Sequence, residues 1–134
     1  MKTPLLVMGI DFGTSGARVA VLNESNELIH TSEMPYRKGL SICKDWEQCT
    51  IELIRKIPIH FKQFLRACAI DGTSGTIVAC DTNGVALGPA LPYHTSCPEE
   101  QNSLAEILPQ GGIASTTDSS LARALCLQKE YQRP

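Results

Sequence analysis

The chain has almost no net charge, formally -2 at pH 7 over 134 residues, which removes the electrostatic case for binding nucleic acid or an anionic membrane surface. It also lacks any apolar run near the roughly 18 residues that a membrane helix needs. The opening Met1-Lys2-Thr3-Pro4-Leu5-Leu6-Val7-Met8 resembles an export signal only in its first residues, because the apolar run stops at Asp11 and no small-residue cleavage site follows. It reads instead as a first strand. The cysteines at 43, 49, 68, 80, 97 and 126 contain no Cys-x-x-Cys, and His30, His60 and His94 are scattered, so buried thiols and no zinc site are expected. Three disulfides would suit a small secreted domain, but without an export signal reduced thiols in the cytoplasm are the expected state. Gly-x-x-x-x-Gly-Lys-Ser/Thr and Gly-x-Gly-x-x-Gly are both missing, which excludes the Walker loop and the dinucleotide fingerprint. There is no tandem repeat and no low-complexity tract. A soluble, cytoplasmic protein with small-molecule partners is expected.

Apolar residues make up 43% of the chain and charged residues 19%, enough for one compact domain that buries roughly two-thirds of its unfolded surface. Residues 5–10 form a short apolar run suited to a buried strand, and residues 17–22 a second one rich in β-branched side chains. After the turn residues Asn23-Glu24-Ser25-Asn26, residues 27–34 alternate loosely, which predicts an antiparallel meander of three strands. Asp45 is placed to cap a helix with Gln48 completing a capping box, and Trp46, Cys49, Leu53, Ile54 and Ile57 fall on one face of that helix before Pro58 ends it. Strands are expected at residues 66–71 and 77–81, a hairpin turn at Asp81-Thr82-Asn83-Gly84, and a further strand segment at residues 85–87. Helices are expected over residues 99–108 and from Ser120 or Leu121 to Glu130, the latter capped by Asp118 or Ser119.

Two turns carry chemistry. In Asp11-Phe12-Gly13-Thr14-Ser15-Gly16 a strand runs into a carboxylate, two glycines and two hydroxyls. Glycines let backbone N–H groups approach a phosphate, Thr14 and Ser15 add donors, Asp11 is a carboxylate suited to magnesium, and Arg18 can return to the same phosphate. An ordinary hairpin bend has the same local composition. Further along, Asp71-Gly72-Thr73-Ser74-Gly75-Thr76 repeats the pattern; its hydroxyls and carboxylate suit a polyol, or equally a solvated Asx or Ser/Thr turn. Two such turns at strand ends can face one another across a cleft.

In order and spacing these residues resemble the FGGY carbohydrate kinases. Residues 9–22 are similar to the family's first phosphate motif, Trp46-Glu47-Gln48 to its Trp-x-Glu-Gln-Asp-Pro helix start, residues 70–76 and 81–92 to its sugar-site strand and hairpin, and Ser119-Ser120-Leu121-Ala122-Arg123 to the basic helix that follows. The resemblance implies an α/β, ribonuclease-H-like (actin-like ATPase) fold, a mixed sheet with three antiparallel first strands. It makes residues 1–134 a partial N-terminal kinase domain of a longer two-domain enzyme, with ATP and Mg2+ as cofactors and a sugar as substrate. By motif match, Asp11 lies near the magnesium and the reacting phosphate, Gly13, Thr14, Ser15 and Arg18 hold the ATP phosphates, and Gly72, Thr73 and Ser74 face the sugar.

The Asp-Gly-Thr-Ser-Gly-Thr run looks most like the D-ribulose and xylulose kinase-like subgroup, which implies a ketopentose. Two departures from the family pattern are Cys49-Thr50 in place of Asp-Pro and Tyr93-His94 where many members carry Trp-Asp or Trp-Asn. The family's catalytic aspartate and Gly-rich adenine segments belong to later stretches, so residues 1–134 alone are expected to be inactive, with a sheet edge left open to self-association. Two other classes stay open: a non-catalytic sugar-binding or regulatory module, and an actin- or chaperone-type ATPase, which gives no reason for the second hydroxyl-rich turn. His94 reads as a wall or surface residue and Trp46 as a helix anchor.

Overall fold

The computed structural model describes residues 4–109 and 111–132. The first three residues of the opening run, Gln110, and the closing Arg133-Pro134 lie outside the described residues. Where length alone suggested one domain, the chain divides into two compact units, Met1–Thr73 and Ser74–Pro134.

The first unit is a four-stranded sheet with helices. Strands β1 (Leu6–Phe12), β2 (Gly16–Leu22) and β3 (Leu28–Pro35) form the expected antiparallel meander. Helix α1 (Cys43–Lys56) and the single turn α2 (Ile59–Lys62) then return the chain to β4 (Leu65–Gly72), which pairs parallel with β1, giving the order β3-β2-β1-β4. Alternation decides the faces. Leu6 and Ile10 of β1 and Ala17, Val19 and Val21 of β2 are buried together with Cys49, Leu53 and Ile57, the stripe read from the sequence. Each fully buried aliphatic side chain contributes about 1.5–3 kcal/mol.

One detail differs from the sequence reading. Ile42, not Asp45, occupies the N-cap of α1, and no side chain caps that end. Asp45 lies in the first turn, 4% exposed, and its carboxylate accepts the backbone N–H groups of Lys38 and Gly39. It braces the preceding loop, whose carbonyl at Leu40 also accepts the Trp46 indole N–H at 3.0 Å. Trp46 is the helix anchor the sequence suggested.

The second unit is mostly irregular. Residues 77–81 do not form a strand; they make isolated bridges, Ile77 with Leu91 and Cys80 with Ala86. The expected turn is present, with Asp81 Oδ1 accepting from the Asn83 and Val85 N–H groups and Gly84 at φ +79°. A 3-10 turn (Pro98–Glu100) leads into α3 (Gln101–Ile107), and α4 (Ser120–Tyr131) closes the unit. Ser119 caps α4 by accepting from Ala122 N–H at 3.0 Å.

Arg123 holds this unit together. It is 2% exposed, and its guanidinium donates to the carbonyls of Gly75 (3.0 Å), Tyr93 (2.8 Å), Thr95 (3.0 Å) and Asp118 (2.9 Å). Four carbonyl dipoles thus stabilise a buried cation, and a flat, forked donor is needed to reach them. Arg123→Lys is therefore expected to destabilise this unit by about 2–4 kcal/mol, since buried carbonyls lose their donors. Chemical denaturation checks this, and a loss below about 0.5 kcal/mol, the scale of an ordinary surface change, would contradict it.

Candidate functional site

The parallel pairing of β1 with β4 places the two turns. Asp11 is in register with Asp71 and Phe12 with Gly72, and Thr73 N–H donates to the Phe12 carbonyl at 3.0 Å. Asp11, Gly13 and the start of the second turn therefore leave the sheet side by side, at the carboxyl ends of neighbouring parallel strands, where α/β sheets open their ligand crevices. Within this unit the strand ends are neighbours in one sheet and do not face one another across a cleft.

The register extends across the sheet. Asp11 pairs with Arg18, and Arg18 with Glu33. The four charged residues Glu33, Arg18, Asp11 and Asp71 form one row on the face away from α1. Arg18 Nη1 lies 3.0 Å from Asp11 Oδ2, and its Nε 3.7 Å from Glu33 Oε2. The adjoining row is small: Gly9, Ala20, Thr31 and Ala69. Together these rows line a concave space of about 720 Å³.

The first turn is a tight hairpin. Gly13 N–H donates to the Gly16 carbonyl at 2.9 Å, leaving Thr14 and Ser15 exposed at the tip. Gly16 is required by close approach: a Cβ there would lie 2.3 Å from the Met34 carbonyl oxygen. Gly13 is tight as well, with Arg18 Nη1 3.3 Å from where its Cβ would be. Ser15 O in turn accepts from Tyr36 N–H at 3.0 Å, tying the turn to the end of β3. Below it, the Tyr36 hydroxyl is buried without a partner. Burial first, then the charges of Cys49, Asp11 and Asp45, push its pKa up to about 12.

In the second turn Asp71 Oδ1 accepts from Gly72 N–H at 2.8 Å. Gly72 is exposed and Thr73 half-buried at the end of the first unit, whereas Ser74 is exposed at the start of the second. Beyond Ser74, Gly75 sits at φ +78° against Arg123, where a Cβ would come within 3.1 Å of Nη2. Tyr93 N–H donates to Thr76 Oγ1 at 3.2 Å, and the Tyr93 ring meets His94 edge-on at 5.1 Å. The sequence supplied Asp71 as the carboxylate of the second turn and Arg123 as the basic residue of a helix start, but not Glu33. The hairpin spacing of Arg18 and Glu33 was the signal available for Glu33.

No protein-family model matches the chain. Over 132 residues it is 24% identical to the xylulose kinase of Staphylococcus xylosus, covering 92% of this chain and 27% of that protein. Its structure overlays that of a xylulose kinase from Rhodospirillum rubrum with a TM-score of 0.75 at 13% identity, over 94% of this chain and 30% of that one. It also overlays Plasmodium falciparum glycerol kinase solved with ADP, with a TM-score of 0.72 at 14% identity, over 96% of this chain and 29% of that one. The chain shares the fold of the matching part of these sugar kinases. The chain spans between a quarter and a third of the length of these sugar kinases. Among the described residues no helix is long and apolar enough to cross a membrane.

Gly16→Ala drives a methyl group into the β3 backbone and is expected to cost about 1–3 kcal/mol, the scale of overpacking. Tyr36→Phe removes an unpartnered buried hydroxyl and is expected to leave stability unchanged or raise it by about 1 kcal/mol. Parallel urea titrations of the two variants check both; a tolerated Gly16→Ala would contradict the close crossing at Met34.

Proposed function

We propose that this chain is the N-terminal part of an ATP-dependent sugar kinase that transfers a γ-phosphoryl group to a hydroxyl of a ketopentose such as D-xylulose or D-ribulose. The observation that carries the proposal is the parallel register of β1 and β4, which sets the Asp11 turn beside the start of the Asp71 turn at the sheet's carboxyl edge. Similarity to a xylulose kinase along 92% of the chain favours a ketopentose over other sugars.

Each residue has a role in this reading. Thr14 and Ser15, exposed at the hairpin tip, donate to the γ-phosphate oxygens. Gly13 gives its N–H to the hairpin, so its part is to let the phosphate and Arg18 come close to a backbone with no side chain. Arg18, held by Asp11 and Glu33, presents positive charge to the same phosphate. The half-exposed Asp11 carboxylate, with Oδ2 on Arg18, has the oxygen chemistry that suits a magnesium ion keeping several waters. Magnesium, when bound, neutralises charge on the transferring phosphates. Gly72, Thr73 and Ser74 offer the sugar backbone and hydroxyl partners.

Phosphoryl transfer depends on positioning and electrostatic stabilisation by many parts together. The base that accepts the sugar proton and the adenine-binding segments belong, in this reading, to the rest of a longer protein, and residues 1–134 alone do not turn over. In this chain β4 is exposed along nearly its whole length, with Ile70 70% exposed. Such an edge pairs with further strands of the longer protein or, in a separated chain, with another copy.

The test is turnover by the complete protein on a panel of ketopentoses, aldopentoses and glycerol. Phosphorylation of a ketopentose in preference to the others is expected. Ser74→Ala is expected to raise the sugar KM by roughly 5- to 30-fold, the loss of one hydrogen bond, with the KM for ATP unchanged. Preference for glycerol would overturn the substrate class, and an effect confined to ATP would overturn the role of Ser74.

A further inference from the structure

The second unit brings together two cysteines that lie far apart in the sequence. Cys97, 1% exposed, precedes the Pro98–Glu100 turn, and Cys126 lies half-buried on α4. Cys97 Sγ, Cys126 Sγ and a Glu99 carboxylate oxygen all fall within 4.8 Å of one another, and the Cys126 thiol donates to Glu99 Oε1 at 3.4 Å. Both cysteines are free.

We propose that Cys97, Glu99 and Cys126 bind a zinc ion, with water in the fourth position. Zinc holds thiolate sulfur at about 2.3 Å and carboxylate oxygen at about 2.0–2.2 Å in a tetrahedron. Those bond lengths set neighbouring ligand atoms about 3.5–3.8 Å apart, so the three groups need only a small contraction around the ion. Two sulfur ligands select zinc over magnesium or calcium, which take oxygen.

The ligands are held from behind. Cys97 N–H donates to the Thr117 carbonyl at 2.9 Å, its own carbonyl accepts from Glu100 N–H at 3.1 Å, and Cys126 is carried by a regular helix. The nearby cations are engaged elsewhere: Lys129 Nζ lies 2.6 Å from Glu100 Oε2, and Arg123 serves backbone carbonyls. An ion here has a physical use. The buried apolar cluster of this unit is small, centred on Cys97, Leu104 and Ala122, and a metal that ties the 97–99 segment to α4 adds binding energy to folding. The site stands apart from the phosphate and sugar reading and does not depend on it.

The experiment titrates the reduced, metal-free protein at its natural length with Co2+ and then Zn2+. One equivalent of cobalt with thiolate charge-transfer absorption, displaced by zinc and accompanied by a rise in Tm, is expected. Cys126→Ser is expected to abolish that absorption. Glu99→Gln, at an exposed position that folding tolerates, is expected to weaken zinc by at least the roughly 10- to 100-fold that loss of a residue merely supporting a ligand costs. Cys68→Ser and Cys80→Ser, both exposed, are expected to leave binding intact. Absence of the absorption, its persistence at full strength in Glu99→Gln, or its dependence on Cys68 or Cys80 would overturn the proposal. A Cys97–Cys126 disulfide that, once reduced, takes up no metal would overturn it too.

Discussion

Parallel backbone pairing between β1 and β4 is the constraint on which the first unit's candidate site rests. An antiparallel return after α1 would send the Asp71 end of β4 to the opposite edge of the sheet. The helical crossover through α1 and α2 prevents that by returning the chain to the starting edge before β4 begins. A slip of one residue in this pairing would turn Asp71 to the helix-covered face. The burial of Leu6 and Ile10 against Leu53 and Ile57 opposes such a slip on the β1 side.

Charge is organised around that register. Along one row, Arg18 stands between Glu33 and Asp11 and pairs with both, with Asp71 one strand beyond Asp11. These pairs are solvent-exposed, and exposed ion pairs add little to stability. Their consequence is orientation, since Arg18 is held over the hairpin whose tip carries Thr14 and Ser15. The second unit uses charge differently. Arg123 is buried and meets carbonyl dipoles instead of a carboxylate, which fixes the backbone just after Ser74 without leaving an ion unpaired.

Much of the first unit could be read from residue order. The β-branched run at 17–22, the stripe Cys49-Leu53-Ile57 and the two Asp-to-hydroxyl turns each follow from short-range pattern, and each is in place. What escaped depends on contacts between distant residues. Asp45 has the composition of a cap, yet burial and two loop N–H groups give it a bracing role. Residues 77–81 have strand propensity, but their partners at residues 86 and 91 meet them only through isolated bridges. Arg123 read as part of a basic helix; four carbonyls from three separate segments make it a buried clamp, which no local pattern encodes. The approach of Cys97 to Cys126 is likewise set by tertiary packing and not by motif spacing.

The proposed role of the Asp11 turn in phosphoryl transfer makes turnover depend on the Asp11 carboxylate. The deciding measurement is magnesium-dependent turnover of the complete protein with ATP and D-xylulose, for the natural sequence and for Asp11→Ala. Loss of kcat by at least about 100-fold, the scale of removing one electrostatic contact to the reacting group, with the circular dichroism spectrum unchanged, is the result predicted. Turnover that survives Asp11→Ala undiminished would contradict it.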